Sequence, residues 1–568
     1  MRILFRCDGG DRPEVGTGHA VRCQLLADRL RSEHVADVAI ALRDFGGQTE
    51  AAEAAGYLVF PVPESVPEPE ATLKVMATFR PDVLVVDRLA NQPDHLRAFQ
   101  REGIVLAVLD DPEGSREVAD IPINAILKGN GGPYEGEDYL VLPEPEPVGA
   151  GRGATTLPMV FLSFGGFDHG NLVAKAVRAV ARLREPVFLS VAVGGDYSNQ
   201  EALADALRAQ PHPHELLVGL SPKEFSARLR QATVAVVAGG LTMYDAFRHG
   251  VPAIVLSQYT HQAAKAEEFA AAGMAVYVGP GARVSEEQIL SAVEALLRDE
   301  GHRAMLARRG QMRVDGQGLR RVVSLVQVVE RLAWDSDFFG FPVGRLWPSR
   351  LTPALADLAD RRCAELGIRC LYFLCDSTHP ASAALAEARG FQFVDTRVTL
   401  ECRLSASPSP SQRAPITIRP ALPNDLPALL EIAGEAFGHS RFYADPHFSR
   451  QAASRLYKVW IEKSCAGFAD TVLVVEADGQ AAGFVTCHLP RLGRGAIGLL
   501  GVEASQAGRG LGRALVTAAI DWFAAKGVER VEVVTQDRND LALRLYKACG
   551  FTVARVEHWF HRWFEPRS

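Results

Sequence analysis

The 568-residue chain lacks the features that mark several large protein classes. Its nine cysteines are odd in number and scattered, and none forms a Cys-x-x-Cys pair, so neither a zinc ribbon nor a disulfide framework is expected. No apolar run reaches the length of a membrane span, and Met1-Arg2-Ile3-Leu4-Phe5-Arg6 leads straight into a strand pattern, which argues against a cleaved signal peptide. Neither sign of charge dominates. With 61 Lys+Arg against 68 Asp+Glu the net charge is −7, which leaves no broad basic footprint for nucleic acid or anionic lipid. Apolar residues make up 48 % and charged residues 23 %, a balance that excludes wholesale disorder and a fibrous repeat. The expectation is a cytoplasmic, soluble chain of about four domains, with no metal, nucleic acid or membrane partner. Nothing in the composition speaks to oligomeric state.

Up to about residue 330, short apolar runs alternate with helix-length segments, the mark of βαβ units and parallel sheets. Val83-Leu84-Val85-Val86, Met159 to Leu162 and Val234 to Val237 show little polar alternation, as strands covered on both faces should. A Pro/Gly-rich stretch from Glu144 to Leu157 reads as a linker between two Rossmann-like lobes. A second linker, Ser405-Ala406-Ser407-Pro408-Ser409-Pro410-Ser411, cannot build a core. The expected domains are therefore 1–150, 151–330, 331–404 and 415–568. The last two share an echo: Ala383 to Phe391 resembles Leu543 to Phe551, each a short helix ending in Gly-Phe after a strand. The first copy has no glycine-rich loop and carries Ala386 where the second carries Tyr546, so it reads as a degenerate half that packs rather than reacts.

After the first strand come Asp8-Gly9-Gly10, then Gly16-Thr17-Gly18-His19 and a helical run that includes Arg22. A glycine-rich strand-to-helix turn brings backbone N–H groups toward an anionic ligand. The positive helix end disfavours imidazolium, so His19 is a candidate neutral base, with Asp8 placed to orient the ring or a water. In the second lobe, Gly165 and Gly166 follow one strand, and Gly239-Gly240-Leu241-Thr242 follows another and leads into Tyr244-Asp245. Two such turns make a diphosphate cradle, with Asp245 suited to ribose hydroxyls.

These stretches, with Arg6-Cys7-Asp8, Leu84-Val85-Val86-Asp87, Leu109-Asp110-Asp111 and Asp315-Gly316-Gln317-Gly318, resemble the nucleotide-sugar hydrolases of pseudaminic-acid biosynthesis, relatives of the two-lobed GT-B glycosyltransferases. The resemblance implies that His19 acts on the water attacking the anomeric carbon of a UDP-linked 2,4-diacetamido-2,4,6-trideoxyhexose. It also implies substrate contacts from Gly16, Gly18, Arg22, Gly165, Gly166, Gly240, Thr242, Asp245 and Gln262. The sequence departs from that pattern at Arg88-Leu89, Leu241, Tyr244-Asp245 and His261.

Toward the C-terminus, Leu499 to Val502 reads as a strand running into Ala507-Gly508-Arg509-Gly510-Leu511-Gly512-Arg513 at a helix start, where backbone amides can hold a pyrophosphate. Asn539, Ala542, Tyr546 and Gly550-Phe551 follow after one further strand, and a tyrosine there can protonate a departing thiolate. This spacing resembles the GNAT acetyltransferase family, an α+β fold. It implies acetyl-CoA as co-substrate, bound by Val502, Ala507, Gly508, Arg509, Gly510, Gly512, Arg513 and Asn539, with Tyr546 as the acid. The loop pattern departs at Ala507, where Arg or Gln is usual. Trp334 to Gly340 and Ser440 to Phe448 narrow the resemblance to dTDP-fucosamine acetyltransferases and imply substrate-loop roles for Arg441, Tyr443 and Asp445.

The expected architecture is thus α/β: two GT-B-like lobes, then a GNAT domain preceded by its degenerate half. The chemistry it implies is N-acetylation of a UDP-linked 4-amino-4,6-dideoxyhexose followed by hydrolytic release of UDP. Two alternatives stay open. The first half can be a glycosyltransferase or a non-catalytic nucleotide-sugar-binding module, or the acetyltransferase can act on protein with the first half as a scaffold. UDP and dTDP are not distinguished.

Overall fold

The computed structural model describes the chain except residues 11–14, 90, 101–102, 112–113, 127–131, 145–156, 167, 169, 196, 405–415 and 566–568, together with the side chains of residues 115, 116 and 261. The Ser/Pro linker from Ser405 to Ser411 and most of the stretch from Glu144 to Leu157 lie outside the described residues. The chain forms two compact units, Met1–Gln327 and Val328–Ser568.

The first unit holds two parallel sheets. One contains β1 (Arg2–Gly10), β2 (Asp37–Phe45), β3 (Leu58–Pro61), β4 (Val83–Asp87), β5 (Val105–Leu109), β6 (Ile121–Asn124) and β7 (Tyr134–Glu135), in the order β3-β2-β1-β4-β5-β6-β7. The other contains β8 (Met159–Ser163), β9 (Phe188–Val193), β10 (His214–Val218), β11 (Val234–Ala238), β12 (Ala253–Ser257) and β13 (Ala275–Pro280), in the order β10-β9-β8-β11-β12-β13. β4, β5, β8, β11 and β12 are buried along their whole length, which is why these runs are continuous Val, Ile, Leu and Ala rather than alternating. Strand order reverses at β1/β4 and at β8/β11, so the loops after those four strands open onto crevices at two topological switch points. The helix Gly318–Gln327 closes the unit by packing back on the first lobe. At Gly318 a Cβ would lie 2.1 Å from the Leu140 carbonyl oxygen, so only glycine fits.

The second unit is built on one ten-stranded sheet. Its strands are β14 (Val329–Arg331), β15 (Val343–Leu346), β16 (Cys370–Asp376), β17 (Gln392–Arg403), β18 (Ile418–Pro420), β19 (Thr471–Ala477), β20 (Gln480–Arg491), β21 (Arg494–Val502), β22 (Arg530–Gln536) and β23 (Thr552–Trp563). The order is β14-β15-β16-β23-β17-β22-β21-β20-β19-β18. The two halves that echo each other exchange their last strands: β23 pairs with β16 of the first half, and β17 pairs with β22 of the second. The two Gly-Phe signals fall where the helices Pro380–Ala388 and Asp540–Ala548 end, at Gly390 (φ +81°) and Gly550 (φ +91°). One face carries the Leu511–Ala525 and Asp540–Ala548 helices over a core of Val398, Leu400, Leu515, Phe523, Val531 and Val533. By the two-residue period of a strand, Arg397 and Thr399 point to the other face.

Candidate functional site

The first site lies at the β1/β4 switch point. His19 is the second residue of the helix Gly18–Ser32, and its Nδ1 lies 2.6 Å from Oδ1 of Asp87, the last residue of β4. Arg22 follows three residues later on the same helix. Its Nε donates to Asp87 Oδ2 at 2.9 Å and its Nη2 to Asp87 Oδ1 at 2.5 Å, while Nη1 donates to Asp110, just past β5. Asp110 is held at φ +50°, and its other oxygen accepts the Ile126 amide at 2.8 Å. Burial pushes the Asp87 carboxyl up, but Arg22 and His19 outweigh it and keep the group below the ordinary carboxylate range. Burial also disfavours the Arg22 charge, and Asp87 and Asp110 more than restore it. A charged Asp87 against Nδ1 favours the proton on that nitrogen and leaves the Nε2 lone pair free. With 15 % of its side chain exposed, the ring is seated but reachable.

Two expectations change here. The carboxylate that orients His19 is Asp87, not Asp8: the Asp8 oxygens accept from Arg6 Nη1 at 2.6 Å and Arg88 Nε at 3.0 Å. Arg22 is buried with its guanidinium committed to two carboxylates, so it positions the histidine rather than meeting substrate.

Across the crevice stands the second lobe. A Cβ on Gly166 would sit 3.3 Å from Thr17 Cγ2, and one on Gly18 would sit 4.0 Å from Leu241 Cδ1, so the glycines keep this approach close. Gly16 and Gly165 take positive φ with open space where a side chain would stand. The two glycine turns differ, however. At the helix Leu172–Val180 the Asp168 carboxylate already accepts the amides of Leu172 and Val173, at 3.0 and 2.8 Å. An anion is thus built into that helix start, and the expected cradle at Gly165 and Gly166 is not an open one. The helix Leu241–His249 begins at Gly240 with no side-chain cap; the Met243 amide bonds the Gly240 carbonyl at 3.0 Å, while those of Leu241 and Thr242 remain for a ligand. Gln262 lies beside this turn, its Oε1 accepting the Gln258 amide at 2.9 Å. Asp245 departs from expectation: it is 4 % exposed and bonded to Ser226 and Arg248, so it faces the core and not a ribose.

The second site lies in the acetyltransferase-like unit. β21 and β22 pair in parallel from Arg494↔Arg530 to Ile497↔Val533, yet both strands run on, to Val502 and Gln536. They splay apart just where the glycine loop begins. Gly508 (φ +79°) and Gly510 (φ +78°) adopt left-handed conformations with nothing within 4 Å of where a Cβ would be, a backbone open to close approach. Ala507, Arg509 and Arg513 are exposed around it, while Gly512 is closed in by Leu545 and Val502. Asn539 Oδ1 accepts the Ala542 amide at 3.1 Å, so this side chain starts the next helix. On that helix Tyr546 is 5 % exposed, packed in the core with its ring 5.7 Å from Phe551, and burial drives its phenol far above the usual range. It stays protonated, as a donor must.

The predicted substrate loop separates into unlike parts. Arg441 Nη1 lies 2.9 Å from His561 Nε2, and His561 Nδ1 lies 2.6 Å from Asp445 Oδ2. Asp445 also accepts from Trp563 Nε1 and the His447 amide, both at 2.9 Å, and at 1 % exposed it is a buried anchor. Tyr443 is half-buried against the aromatic cluster. Sequence reasoning missed Asp87, Asp110 and His561 as partners. A lone Asp closing the apolar run Val83 to Val86 at the C-terminal end of a parallel strand was the available signal for the first.

Residues 426–551 match the Acetyltransferase (GNAT) family. The chain is 28 % identical over 348 residues to the spore coat polysaccharide biosynthesis protein SpsG of Bacillus subtilis (strain 168), covering 58 % of this chain and 98 % of that one. It is 35 % identical over 140 residues to dTDP-fucosamine acetyltransferase of Escherichia coli O6:H1, covering 24 % of this chain and 59 % of that enzyme. It is also 31 % identical over 198 residues to mycothiol acetyltransferase of Sanguibacter keddieii, covering 31 % and 59 %. The chain thus spans about three fifths of each of these two acetyltransferases. Among solved structures, MurG of Acinetobacter baumannii superposes with a TM-score of 0.45 at 13 % identity, over 58 % of this chain and 99 % of that one. Two Rossmann-like parallel-sheet lobes are thus followed by a unit whose residues 426–551 match the GNAT acetyltransferase family. Among the described residues no helix is long and apolar enough to cross a membrane.

Proposed function

We propose that the chain is a two-site nucleotide-sugar enzyme. Its second unit N-acetylates the 4-amine of a UDP-linked 4-amino-4,6-dideoxyhexose, and its first unit then cleaves the resulting 2,4-diacetamido-2,4,6-trideoxyhexose from UDP. The observation that carries the reading is the His19–Asp87 pair facing an uncapped helix start across a narrow crevice.

In the acetyl step the neutral amine attacks the thioester carbonyl, the C–S bond breaks, and Tyr546 gives its proton to the leaving sulfur. The amine's surplus proton goes to water and from there returns to the Tyr546 phenolate. The Gly508–Gly512 loop offers main-chain amides to the pyrophosphate of acetyl-CoA. In the hydrolytic step His19 Nε2 takes a proton from water as its oxygen bonds to the anomeric carbon, and the bond from that carbon to the diphosphate oxygen breaks with its electron pair leaving on UDP. The amides from Gly240 to Thr242 receive the diphosphate charge. The similarity to dTDP-fucosamine acetyltransferase supports the acceptor class. A second reading, in which the first unit passes the sugar to another acceptor instead of water, is favoured by its similarity to a polysaccharide biosynthesis protein.

Mass spectrometry of products from a panel of UDP- and dTDP-linked 4-amino sugars with acetyl-CoA tests both. The expected products are the acetamido sugar nucleotide and, in turn, free sugar and UDP. His19→Ala should cut UDP release roughly 10²–10⁴-fold, the usual worth of a general base, while leaving acetyl transfer intact. Release that is unchanged in His19→Ala removes the hydrolase reading. Release that needs an added sugar acceptor establishes the second.

A further inference from the structure

On the face of the ten-stranded sheet opposite the Leu511–Ala525 and Asp540–Ala548 helices, a polar strip leads from the splayed edge of β22 across β17 and β23 to β15. Gln536, Arg397 and Glu557 are paired across three strands, Asp395 pairs with Trp559 in the next row of the same face, and Arg345 pairs with Tyr372, which pairs with His561. Most charged groups along the strip are satisfied. Arg397 and Arg555 bond Glu557, Arg538 bonds Asp395, and Glu330 accepts the Trp347 indole N–H.

Two guanidinium groups are the exception. Arg345 and Arg441 are both half-buried, and neither forms an ion pair with a carboxylate among the described residues. They flank the same indole, with Arg441 Cζ 4.1 Å and Arg345 Cζ 6.0 Å from the Trp559 ring centroid. Arg441 also lies over Tyr372 at 4.0 Å and Phe442 at 4.4 Å, and His561, braced by Asp445, fixes its direction. Beside them are polar atoms with nothing to bond: the Tyr372 hydroxyl, on a side chain 1 % exposed, and Arg345 Nε. The two arginines repel each other, and burial with that repulsion brings Arg345 down to about 10. Glu557 and Glu330 act on Arg345, and Asp335 on both arginines, from a distance, and burial raises the Asp335 carboxyl, which weakens it as a counter-charge. Two partly desolvated cations held close together, with carboxylates near but none in direct contact, are costly alone and more stable with an anion bound.

We propose that Arg345 and Arg441 form the subsite that takes the phosphate groups of the acetyl acceptor. This rests on the reading above that the acceptor is nucleotide-linked, and it sharpens that reading: the enzyme recognises the diphosphate, with the amine left toward the splay. Guanidinium forks suit phosphate oxygens, and aromatic packing with the His561 bond presents Arg441 already oriented. Strands lie about 4.8 Å apart, so the four steps from β22 to β15, the strand of Arg345, span roughly 19 Å, room for a sugar and a diphosphate.

The test uses the full chain, with inorganic pyrophosphate and two acceptors, a 4-amino sugar nucleotide and the same amino sugar without its nucleotide. Pyrophosphate should inhibit acetyl transfer competitively against the acceptor, and that inhibition should weaken in Arg345→Gln. Arg345→Gln should raise KM for the nucleotide-linked acceptor about ten-fold or more, as expected for a lost charged hydrogen bond, with KM for acetyl-CoA unchanged. Arg441→Lys should do the same to a smaller degree. A folded Arg345→Gln protein with unchanged acceptor KM overturns the proposal, as does pyrophosphate that fails to compete with the acceptor. Equal kcat/KM for the two wild-type acceptors removes the subsite while leaving the acetyltransferase reading standing. Calorimetric loss of one pyrophosphate-binding event in Arg345→Gln, in a protein that acetylates no sugar nucleotide, keeps the subsite and removes that reading.

Discussion

The two sites begin alike, with a strand, a glycine turn and a helix start, and then diverge. At the first, an imidazole is aimed by charge: Asp87, Arg22 and Asp110 form a buried chain of ion pairs around His19. At the second, a phenol is aimed by apolar packing, with no ion pair touching it and burial itself keeping it protonated. A base must present a free lone pair in one tautomer, which a fixed carboxylate secures. An acid must only keep its proton until a thiolate needs it, which a dry core secures. Charge networks and hydrophobic burial are two solutions to the same problem of protonation state, and they fail differently when altered.

The largest effect should come from Asp87→Ala. It leaves the buried Arg22 guanidinium with one partner instead of two, and breaking such a buried pair costs about 3–5 kcal/mol. Hydrogen exchange should therefore show loss of protection in β1, β4 and the Gly18–Ser32 helix, and UDP release should vanish, while acetyl transfer continues. Protection retained in those elements would mean that the network is not what holds the histidine.

Tyr546→Phe makes the opposite change, removing the chemistry and sparing the fold. Its ring stays within the same apolar cluster, and among the described residues its hydroxyl makes no hydrogen bond, so stability should shift by less than about 1 kcal/mol. Acetyl transfer should fall about 10²–10³-fold, the range for loss of a general acid, with KM for acetyl-CoA unchanged in steady-state kinetics. A variant that loses stability but not rate would make Tyr546 a packing residue and erase the contrast.

The helix starts, the buried parallel strands and the glycine turns were legible because each depends on neighbours within a few residues. The partners were not. His19 and Asp87 are 68 positions apart and meet only because β4 lies beside β1, a fact of strand order rather than of local pattern. Asp8 is nearer in sequence and at a strand end too, but the neighbouring arginines Arg6 and Arg88 claim it. Asp245 was read as ligand-facing from its place in a helix, whereas Arg248 and His249, three and four residues on, share its buried face. The echo between residues 331–404 and 415–568 was visible in their helix endings. That the halves trade strands depends on pairings across more than 125 residues, and no periodicity carries that information.

The smallest expected effect concerns the glycines, which look interchangeable in sequence and are not. Gly510 sits at φ +78°, where any L-residue is strained, so Gly510→Ala should cost about 1–2 kcal/mol at the start of the Leu511–Ala525 helix and raise KM for acetyl-CoA. Gly240 sits at φ −101° and ψ −156°, which every residue adopts, and the nearest atom to a Cβ there is Gln262 Nε2 at 3.8 Å. Gly240→Ala should therefore unfold within about 0.5 kcal/mol of the parent, and its methyl group should instead weaken UDP binding, read as reduced product inhibition. The contrast has one cause: the Gly510 loop needs glycine for its backbone shape, and at the Gly240 turn glycine leaves space beside the amides. Equal loss of stability in the two variants would assign both glycines to backbone shape and leave the Gly240 turn without a reason to be open.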